Sequence, residues 1–228
     1  MAAVLHCMKT LIIAIDGPSG AGKGTVARAI ASELGYRHVD SGAMYRAVGW
    51  QALRNGVPLE DEGAVARMAA GLRIEVLANA VSIDGLDVTR EIRTPAIDRA
   101  AATVARWPQV RAVLVERQRR MGQGGAIVME GRDIGTVVFP DADVKVYLDA
   151  APEERARRRA HDPAHSGPTE VALVKSALTA RDEGDRTRTA SPLYVARDAT
   201  LVDTTGKSVA EVVAEVLGVI SGKLRTEK

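Results

Sequence analysis

The feature that most constrains this chain is a glycine-rich turn that joins an apolar run to an amphipathic helix, within residues 12–31 (IIAIDGPSGAGKGTVARAIA). Glycine tolerates positive φ and close approach to a ligand, so the four glycines of this turn can direct successive N–H groups toward one anion. Lys23 adds a positive charge, and the amino end of the helix predicted to begin near it adds a partial one. The stretch therefore predicts a phosphate-binding loop with ATP as the expected nucleotide. The residues expected to hold ATP are Gly17, Pro18, Ser19, Gly20, Ala21, Gly22, Lys23, Gly24 and Thr25.

The loop departs from the common P-loop pattern at one position. Gly17, Gly22 and Lys23 match GxxxxGK[ST], but Gly24 follows the lysine and the hydroxyl comes one residue later, at Thr25. This arrangement resembles the loops of nucleoside-monophosphate kinases more than those of GTPases or large ATPases. The alternative is a chance glycine-rich turn, and the order of strand, loop, lysine and helix argues against it.

The composition indicates one globular unit. Of 228 residues, 46% are hydrophobic and 26% are charged. A length of this order suits one domain, or one domain with an insertion. The net charge of +2 is too small for a protein that coats nucleic acid, and aromatic residues, at 3%, provide no row of stacking platforms for single strands. We therefore expect no nucleic-acid partner.

Cysteine usage and the first residues favour a cytoplasmic protein. Cys7 is the single cysteine, so it cannot form an internal disulfide. His161 and His165 are four residues apart and lack further ligands for zinc. The leader MAAVLHCMKT has no apolar core of signal-peptide length, and no later run reaches the roughly 20 apolar residues of a membrane span.

Apolar segments alternate with helical patterns, which predicts a parallel sheet covered on both faces. The predicted strands are residues 10–16, 36–39, 126–130, 143–148 and 199–203. The predicted helices are residues 23–34, 41–55, 97–105, 110–121 and 169–184, one that begins at Pro152, and one that Ser208 caps and that ends near residue 220.

Residues 63–94 interrupt this alternation. Residues 72–77 and 81–85 alternate apolar and polar side chains, and residues 86–88 follow a predicted turn at Asp84 and Gly85. The pattern predicts a small antiparallel meander inserted into the α/β unit.

Polar residues follow the second predicted strand, in the run DSGAMYR at 40–46. Open α/β sheets bind ligands at the carboxyl ends of their strands, which makes these residues site candidates. The alternative for Ser41 is to cap the next helix. For Tyr45 and Arg46 the alternative is a helix face with the tyrosine in the core and the arginine in solvent.

The run EERARRR after Pro152 has two interpretations. Glu153 with Arg157, and Glu154 with Arg158, have the spacing of ion pairs on a soluble helix. However, four arginines within residues 155–159 precede a stretch with Pro, Gly, Ser and His at 162–168, which indicates a mobile cationic lid. For the arginines of residues 110–121, a solvated helix face explains most of them.

Five motifs carry a resemblance to a known family. They are DGPSGAGKGT (16–25), DSGAMYR (40–46), EIRT (91–94), EGRDIGTVVFPDA (130–142) and RDEGDRTRTASPL (181–193). The loop alone fits any monophosphate kinase, whereas GRDIGTVVFPDA together with the RDxxDRxR run and the meander is far more specific. Over nearly its whole length the sequence resembles the bacterial cytidylate kinase family.

The resemblance implies an α/β fold of the P-loop NTPase type: a five-stranded parallel sheet with helices on both faces, the inserted meander and a short lid. It implies a single kinase unit over residues 1–228. The core is residues 10–40, 106–150 and 170–228, and the nucleoside-monophosphate-binding region is residues 41–105 with an insertion at about 63–95. The lid is residues 153–168.

The resemblance also implies phosphoryl transfer from MgATP to CMP or dCMP. Carried over by motif position, the candidates for the CMP site are Ser41, Tyr45, Arg46, Arg93, Arg111, Arg132, Asp133, Arg181, Asp185 and Arg188. Ala102 departs from the family, because relatives often have a serine there, and Thr103 lies next to it. One hydrogen bond to the base is therefore in question.

The many arginines suit a reaction that brings two polyanions in line, where catalysis consists of positioning and charge neutralisation. Thr25 is the expected magnesium ligand, partly through water, and Asp133 is expected to select cytosine. The predicted catalytic residues are Lys23, beside the ATP phosphates, Arg157 and Arg158 on the migrating phosphoryl group, and Arg132 and Arg188 on the acceptor phosphate.

Two alternatives stay open. One is a P-loop kinase of another small acceptor, such as shikimate, and the other is a nucleotide-binding switch without transfer activity. The absence of an NKxD motif argues against a GTPase. The expected oligomeric state is a monomer.

Overall fold

The chain folds around a parallel β-sheet, in a computed structural model that describes residues 10–162 and 170–226. The strands in these ranges are β1 (Ile12–Asp16), β2 (Arg37–Asp40), β3 (Ile74–Val76), β4 (Val81–Ile83), β5 (Leu86–Asp87), β6 (Ile127–Gly131), β7 (Val144–Asp149) and β8 (Thr200–Asp203). Five form the parallel sheet in the order β2-β6-β1-β7-β8, and β3, β4 and β5 form an antiparallel sheet. The predicted five-stranded sheet and the small meander are confirmed.

Helices flank the sheet. They are α1 (Lys23–Leu34), α2 (Ser41–Arg54), α3 (Glu62–Gly71), α4 (Pro95–Val104), α5 (Pro108–Met121), α6 (Pro152–Ala160), α7 (Val171–Thr187) and α8 (Val209–Thr226), with a short π-helix at Ile134–Val138. Their starts follow local rules. Pro95 is the first residue of α4, after the capping residue Thr94. Ser208 and Glu211 exchange hydrogen bonds at the start of α8, as in a capping box, which confirms the predicted cap.

The register of the parallel strands brings their carboxyl ends to one edge of the sheet. Asp16, at the end of β1, lies opposite Gly131 of β6 and Tyr147 of β7. Asp40, at the end of β2, lies opposite Glu130 of β6. The phosphate-binding loop and the DSGAMYR run therefore start from the same edge.

Two apolar clusters cover the two faces of the sheet. On β6, Ile127 and Met129 belong to the cluster that includes residues of α2, α4 and α5, whereas Val128 belongs to the cluster that includes residues of α1 and α8. This division follows the alternation of side chains along a strand. In the described part of the chain, no helix is both long enough and apolar enough to cross a bilayer.

The insertion contains a helix that its sequence pattern does not predict. The pattern predicts a meander over residues 63–94, but α3 occupies the first part of that stretch. Asp61 caps α3 by accepting a hydrogen bond from the Ala64 N–H at 2.8 Å. The run AVARMAA has strong helix formers, and this local signal outweighs the change of pattern.

Helix α6 begins at Pro152 as predicted, and the predicted pair of Glu154 with Arg158 is confirmed, whereas the predicted pair of Glu153 with Arg157 is wrong. Glu154 accepts hydrogen bonds from both Arg157 and Arg158, while Glu153 pairs with Lys175 of α7. The predicted lid reaches residue 168, and its residues 163–168, with His165, lie outside the described residues. The leader through residue 9, with Cys7, lies outside them as well.

Truncation of Leu114, a fully buried side chain of α5 in the apolar cluster that includes Ile127 and Met129, should destabilise the fold. We expect Leu114→Ala to lower the free energy of unfolding by about 2–5 kcal/mol, because a cavity replaces packed atoms. Leu53→Ala, at a side chain that is 48% exposed on α2, is the matched control and should lower it by less than about 1 kcal/mol. Urea unfolding followed by circular dichroism measures both, and equal losses would contradict this packing.

Candidate active site

The glycines of the loop have two different functions. Gly17, Gly20 and Gly22 have φ of 145°, 81° and 90°, backbone conformations that residues with a side chain rarely adopt. The expectation that Gly24 shares this geometry is wrong, because its φ is not positive. A β-carbon on Gly24 would instead lie 2.8 Å from Glu130 Oε1. The departure from GK[ST] thus makes room for a carboxylate at the end of β6.

Lys23 is the first residue of α1 and is only 6% exposed. Its Nζ donates a hydrogen bond to the Pro18 carbonyl at 2.7 Å. Burial, followed by repulsion from Arg132, lowers the pKa of Lys23 to about 7. An anion beside the loop would favour the charged form of the lysine, so binding of a phosphate and protonation of Lys23 are coupled.

A buried ion pair fixes the loop from the side of α6 and α7. The Ser19 N–H donates to Asp182 Oδ1 at 3.3 Å, and the Ser19 carbonyl accepts from Arg155 Nη1 at 3.0 Å. Arg155 and Asp182 also pair with each other. A β-carbon on Gly20 would lie 2.9 Å from Arg155 Cβ, so this glycine permits the close packing of α6 on the loop.

Asp16 connects the loop strand to the π-helix. Its carboxylate accepts hydrogen bonds from the N–H groups of Ile134 and Gly135 at 2.8 and 2.7 Å. Burial raises the pKa of Asp16 to about 6, against the opposing effect of these two amides. The contact holds the turn that carries Arg132 and Asp133 close to the start of the loop.

One cleft of about 690 Å³ lies at this edge of the sheet. It brings together nearly all of the predicted site residues; Gly17 and Pro18 are not among those that line it. Those that do are Ser19, Gly20, Ala21, Gly22, Lys23, Gly24, Thr25, Ser41, Tyr45, Arg46, Arg93, Arg111, Arg132, Asp133, Arg157, Arg158, Arg181, Asp185 and Arg188.

Carboxylates neutralise the arginines on one side of the cleft. Arg111 and Asp133 form a buried ion pair, and Arg132 Nε donates to Asp185 Oδ2 at 2.8 Å. Arg188 Nη1 lies 3.6 Å from Asp185 Oδ1. Burial raises the pKa of Asp185, but the neighbouring guanidinium groups, Arg132 first, lower it more. The carboxylate therefore stays ionised among them.

Two guanidinium atoms in this group have no acceptor. Among the described residues, Arg111 Nε and Arg188 Nη2 are buried without a hydrogen-bond partner. Arg188 Nη2 lies 4.0 Å from Asp133 Oδ1, which is beyond hydrogen-bond distance. Buried donors are rarely left unpaired, because the loss of hydration is costly. A polar or anionic ligand in the cleft would supply the missing acceptors.

Tyr45 and Arg46, next to each other on α2, both lie inside the protein. The Arg111 guanidinium is 5.4 Å from the centre of the Tyr45 ring, and burial raises the pKa of Tyr45 to about 12. Arg46 Nε lies 3.0 Å from Asp98 Oδ1 and its side chain is 18% exposed. The alternative that placed Arg46 in solvent is therefore wrong.

Ser41 does not cap α2. Asp40 caps it by accepting a hydrogen bond from the Ala43 N–H at 3.0 Å. Ser41 is the first residue of the helix, and its hydroxyl donates to the Glu130 carbonyl at 2.6 Å. Ser41 thus connects α2 to the end of β6, at the floor of the cleft.

The two predicted lid arginines differ in their surroundings. Arg157 is 61% exposed and pairs with Glu154. Arg158 donates to the side chain and the carbonyl of Thr204 at 2.9 and 2.6 Å. A β-carbon on Gly22 would lie 3.7 Å from Arg158 Nη1, so Arg158 lies beside the loop. Both arginines line the cleft.

Two acidic residues at or near the cleft were not predicted from the sequence. Glu130 lines the cleft, and Asp98 pairs with Arg46 and Arg159, which line it. Glu130 carried a signal, because it ends a core strand and immediately precedes Gly131 and Arg132 in a quoted motif. Asp98 carried none, since an acidic residue in the first turn of a helix is common for electrostatic reasons alone.

The oxygens near the loop suit magnesium. Thr25 and Glu130 both line the cleft, and Mg²⁺ binds one or two protein oxygens while it keeps several waters and phosphate oxygens. The described residues contain no group of three or more His, Cys, Asp or Glu that could hold an ion. This sparse donor set fits an ion that binds together with a nucleotide.

A phosphate-binding loop at the end of a parallel strand, facing a cleft of arginines and carboxylates, defines a P-loop kinase. Comparison with known proteins gives the family. The cytidylate kinase family model matches residues 13–222, and this chain belongs to that family.

Curated relatives match over almost their whole length. Cytidylate kinase from Pelotomaculum thermopropionicum is 48% identical over 219 residues, which cover 93% of this chain and 97% of the relative. Cytidylate kinase from Desulfitobacterium hafniense is 47% identical over 222 residues, with 96% of each chain covered. The crystal structure of an uncharacterized protein from Eubacterium ventriosum superposes with a TM-score of 0.52 at 12% sequence identity. The match covers 94% of this chain and 99% of the other chain. That likeness concerns the fold alone.

Binding of ATP should take up a proton at Lys23. Because the pKa of Lys23 is about 7 in the free protein and a bound triphosphate raises it, affinity should fall as pH rises from about 7 to 9. Titration calorimetry at about pH 8, in two buffers of different ionisation enthalpy, should give an uptake close to one proton. Lys23→Met is the control and should show almost none. The same proton uptake in both proteins would exclude Lys23 as the titrating group.

Proposed function

We propose that the protein transfers the γ-phosphoryl group of MgATP to CMP or dCMP, giving ADP and CDP or dCDP. One observation carries the proposal: within the described residues, Arg111 Nε and Arg188 Nη2 are buried without acceptors in the same cleft as the phosphate-binding loop. A nucleoside monophosphate offers acceptors on both its base and its phosphate. Membership of the cytidylate kinase family supports cytidine as the nucleoside.

In this reaction an oxygen of the CMP phosphate forms a bond to the γ-phosphorus of ATP. The bond from that phosphorus to the β,γ-bridging oxygen breaks, and its electron pair leaves with ADP. The acceptor phosphate has a second pKa near 6, so it is largely ionised at neutral pH and no general base is required. The obstacle is repulsion between the two anions, which the protein must overcome by positioning and charge neutralisation.

On the donor side, the loop amides and Lys23 are proposed to bind the β- and γ-phosphates of ATP. Arg158 lies beside Gly22 and is proposed to contact the migrating phosphoryl group. Arg157 has the same proposed role, for which it must leave Glu154. Exclusion of water when these groups close on the phosphates would prevent hydrolysis of ATP.

On the acceptor side, Arg132 and Arg188 are proposed to hold the CMP phosphate, because guanidinium groups bind phosphate in two places and stay charged. Their shared partner Asp185, with Arg181, is proposed to contact the sugar. The further proposed contacts of CMP are Ser41, Tyr45, Arg46 and Arg93.

Thr25 and Glu130 are proposed to hold Mg²⁺, largely through water. When it is bound, the ion supplies positive charge to the β- and γ-phosphates. Glu130 is included beside Thr25 because its carboxylate lies against Gly24, the residue between Lys23 and Thr25.

Base recognition is proposed to depend on Asp133 and Arg111. Asp133 Oδ2 pairs with Arg111, and Oδ1 is within 4.0 Å of Arg188 but makes no hydrogen bond to it. A carboxylate oxygen can accept a hydrogen bond from the N4 amine of cytosine. Ala102 stands where relatives often have a serine, and the hydroxyl of the neighbouring Thr103 donates to the Arg99 carbonyl at 3.2 Å. No contact of Thr103 with the base is therefore proposed.

We further propose the division of the unit into a core, an acceptor-binding region (41–105) and a lid (153–168). The protein would act as a cytoplasmic monomer on free nucleotides.

A coupled assay of ADP release tests the function, with ATP and Mg²⁺ and with CMP, dCMP, UMP, AMP or shikimate as acceptor. Turnover should be greatest with CMP and dCMP. Preference for shikimate or AMP would favour a kinase of another acceptor. Tight binding of nucleotide without turnover on any acceptor would favour a non-catalytic switch.

Asp133→Asn should weaken the choice of cytosine. Uracil presents an acceptor where cytosine presents its amine, so a carboxylate repels UMP, while an asparagine amide can donate to it. We expect kcat/KM for CMP to fall by about 100-fold or more, and the CMP:UMP ratio of kcat/KM to narrow by at least about tenfold.

Asp61→Asn, which changes a helix cap away from the cleft, is the control and should leave the ratio unchanged. If Asp133→Asn lowers CMP activity without changing the ratio, Asp133 only pairs with Arg111 and base selection lies elsewhere.

A further inference from the structure

Three arginines from three helices converge on one carboxylate, Asp98 of α4. Arg46 Nε, from α2, lies 3.0 Å from Asp98 Oδ1, and Arg159 Nη2, from α6, lies 2.5 Å from Oδ2. Arg181 Nη1, from α7, lies 3.8 Å from Oδ1. All three arginines line the cleft, and they are far apart in sequence.

The carboxylate is ionised and largely enclosed. Its side chain is 17% exposed, and those of the three arginines are between 18% and 22% exposed. Burial acts to raise the pKa of Asp98, but Arg46, Arg181 and Arg159 together lower it to about 2. The positive groups also repel one another: burial, then the charges of Arg132 and Arg46, lower the pKa of Arg181 to about 10. Asp40 lies 3.7 Å from Arg46 and Asp162 lies 3.6 Å from Arg159, but Asp98 is the carboxylate that lies near all three arginines.

The contact with Arg159 connects the two sides of the cleft. Helix α6 is fixed to the phosphate-binding loop through Arg155, which binds the Ser19 carbonyl. Helix α4 packs extensively on α2, which carries Tyr45 and Arg46. The pair of Arg159 and Asp98 therefore joins the helix at the donor loop to the helices of the acceptor side.

We propose that Asp98 is a positioning residue for phosphoryl transfer, which gathers Arg46, Arg159 and Arg181 toward the cleft and holds α6 against α4. The inference rests on the proposed function. Substrate phosphates have the same sign of charge as Asp98 and compete with it for the arginines when they bind. At the same time, the carboxylate keeps those arginines converged for the transfer step. Loss of its charge should therefore slow the transfer step, which lowers kcat, without raising KM for CMP.

Asp98→Asn should lower kcat by about tenfold, while KM for CMP stays unchanged or falls. Asp98→Glu keeps the charge and should retain kcat within about threefold of the wild type. Glu62→Gln is the matched control, because it removes a first-turn carboxylate from α3, outside the cleft, and it should leave both constants unchanged. A residue needed only for folding would lower thermal stability without separating kcat from KM.

Arg159→Gln tests the same contact from its other side, and it remains informative if Asp98→Asn fails to fold. It should lower kcat as Asp98→Asn does, and the double variant should show little further loss. An unchanged kcat in Asp98→Asn, a raised KM at constant kcat, or additive losses in the double variant would overturn the inference while the wild type stays active.

An inactive wild type would instead contradict the proposed function. In that case the melting temperatures of the wild type, Asp98→Asn, Arg159→Gln and the double variant are measured with and without CMP. Non-additive shifts with CMP that exceed those without it would support the role of Asp98, and equal shifts would overturn it.

Discussion

Positive charge concentrated in a partly buried cleft is the constraint on which this structure depends. An unpaired charge taken out of water is destabilising by several kcal/mol, so each arginine needs an anion before any substrate arrives. Asp133 pairs with Arg111, Asp185 pairs with Arg132, and Asp98 lies within 4 Å of three arginines. These carboxylates leave two donors without an acceptor among the described residues, Arg111 Nε and Arg188 Nη2, and both arginines line the cleft.

The sheet and its helices provide the frame for this charge. Parallel strands in register bring Asp16, Asp40 and Glu130 to one edge, where no antiparallel arrangement of the same strands would gather them. The buried pair of Arg155 and Asp182 then binds both the N–H and the carbonyl of Ser19, so α6 and α7 set the shape of the loop. A displacement of α6 would therefore move the phosphate-binding loop, because Arg155 of α6 is hydrogen-bonded to the Ser19 carbonyl.

Gly24 shows how a single position joins local and long-range requirements. The φ of Gly24 is not positive, and a β-carbon there would lie 2.8 Å from Oε1 of Glu130, more than a hundred positions away, so the carboxylate would have to move. The second glycine of GKGT therefore lies against a residue that is distant in sequence. Glu130 and Thr25 also line the same cleft.

The sequence by itself determined the elements whose causes are local. Period-2 and period-3.6 patterns, the turn at the loop, Pro95, Pro152 and Ser208 specified the five core strands and most of the helix starts, because these depend on neighbours along the chain. Only the tertiary structure decided which charged residues belong to the site. Arg111 is buried against Asp133, while Arg119 and Arg120 of the same helix are exposed, and Asp98 lies near three arginines of the cleft although it resembles an ordinary first-turn acid. The physical reason is that the partner of a charge is set by packing between distant segments, which no local pattern encodes.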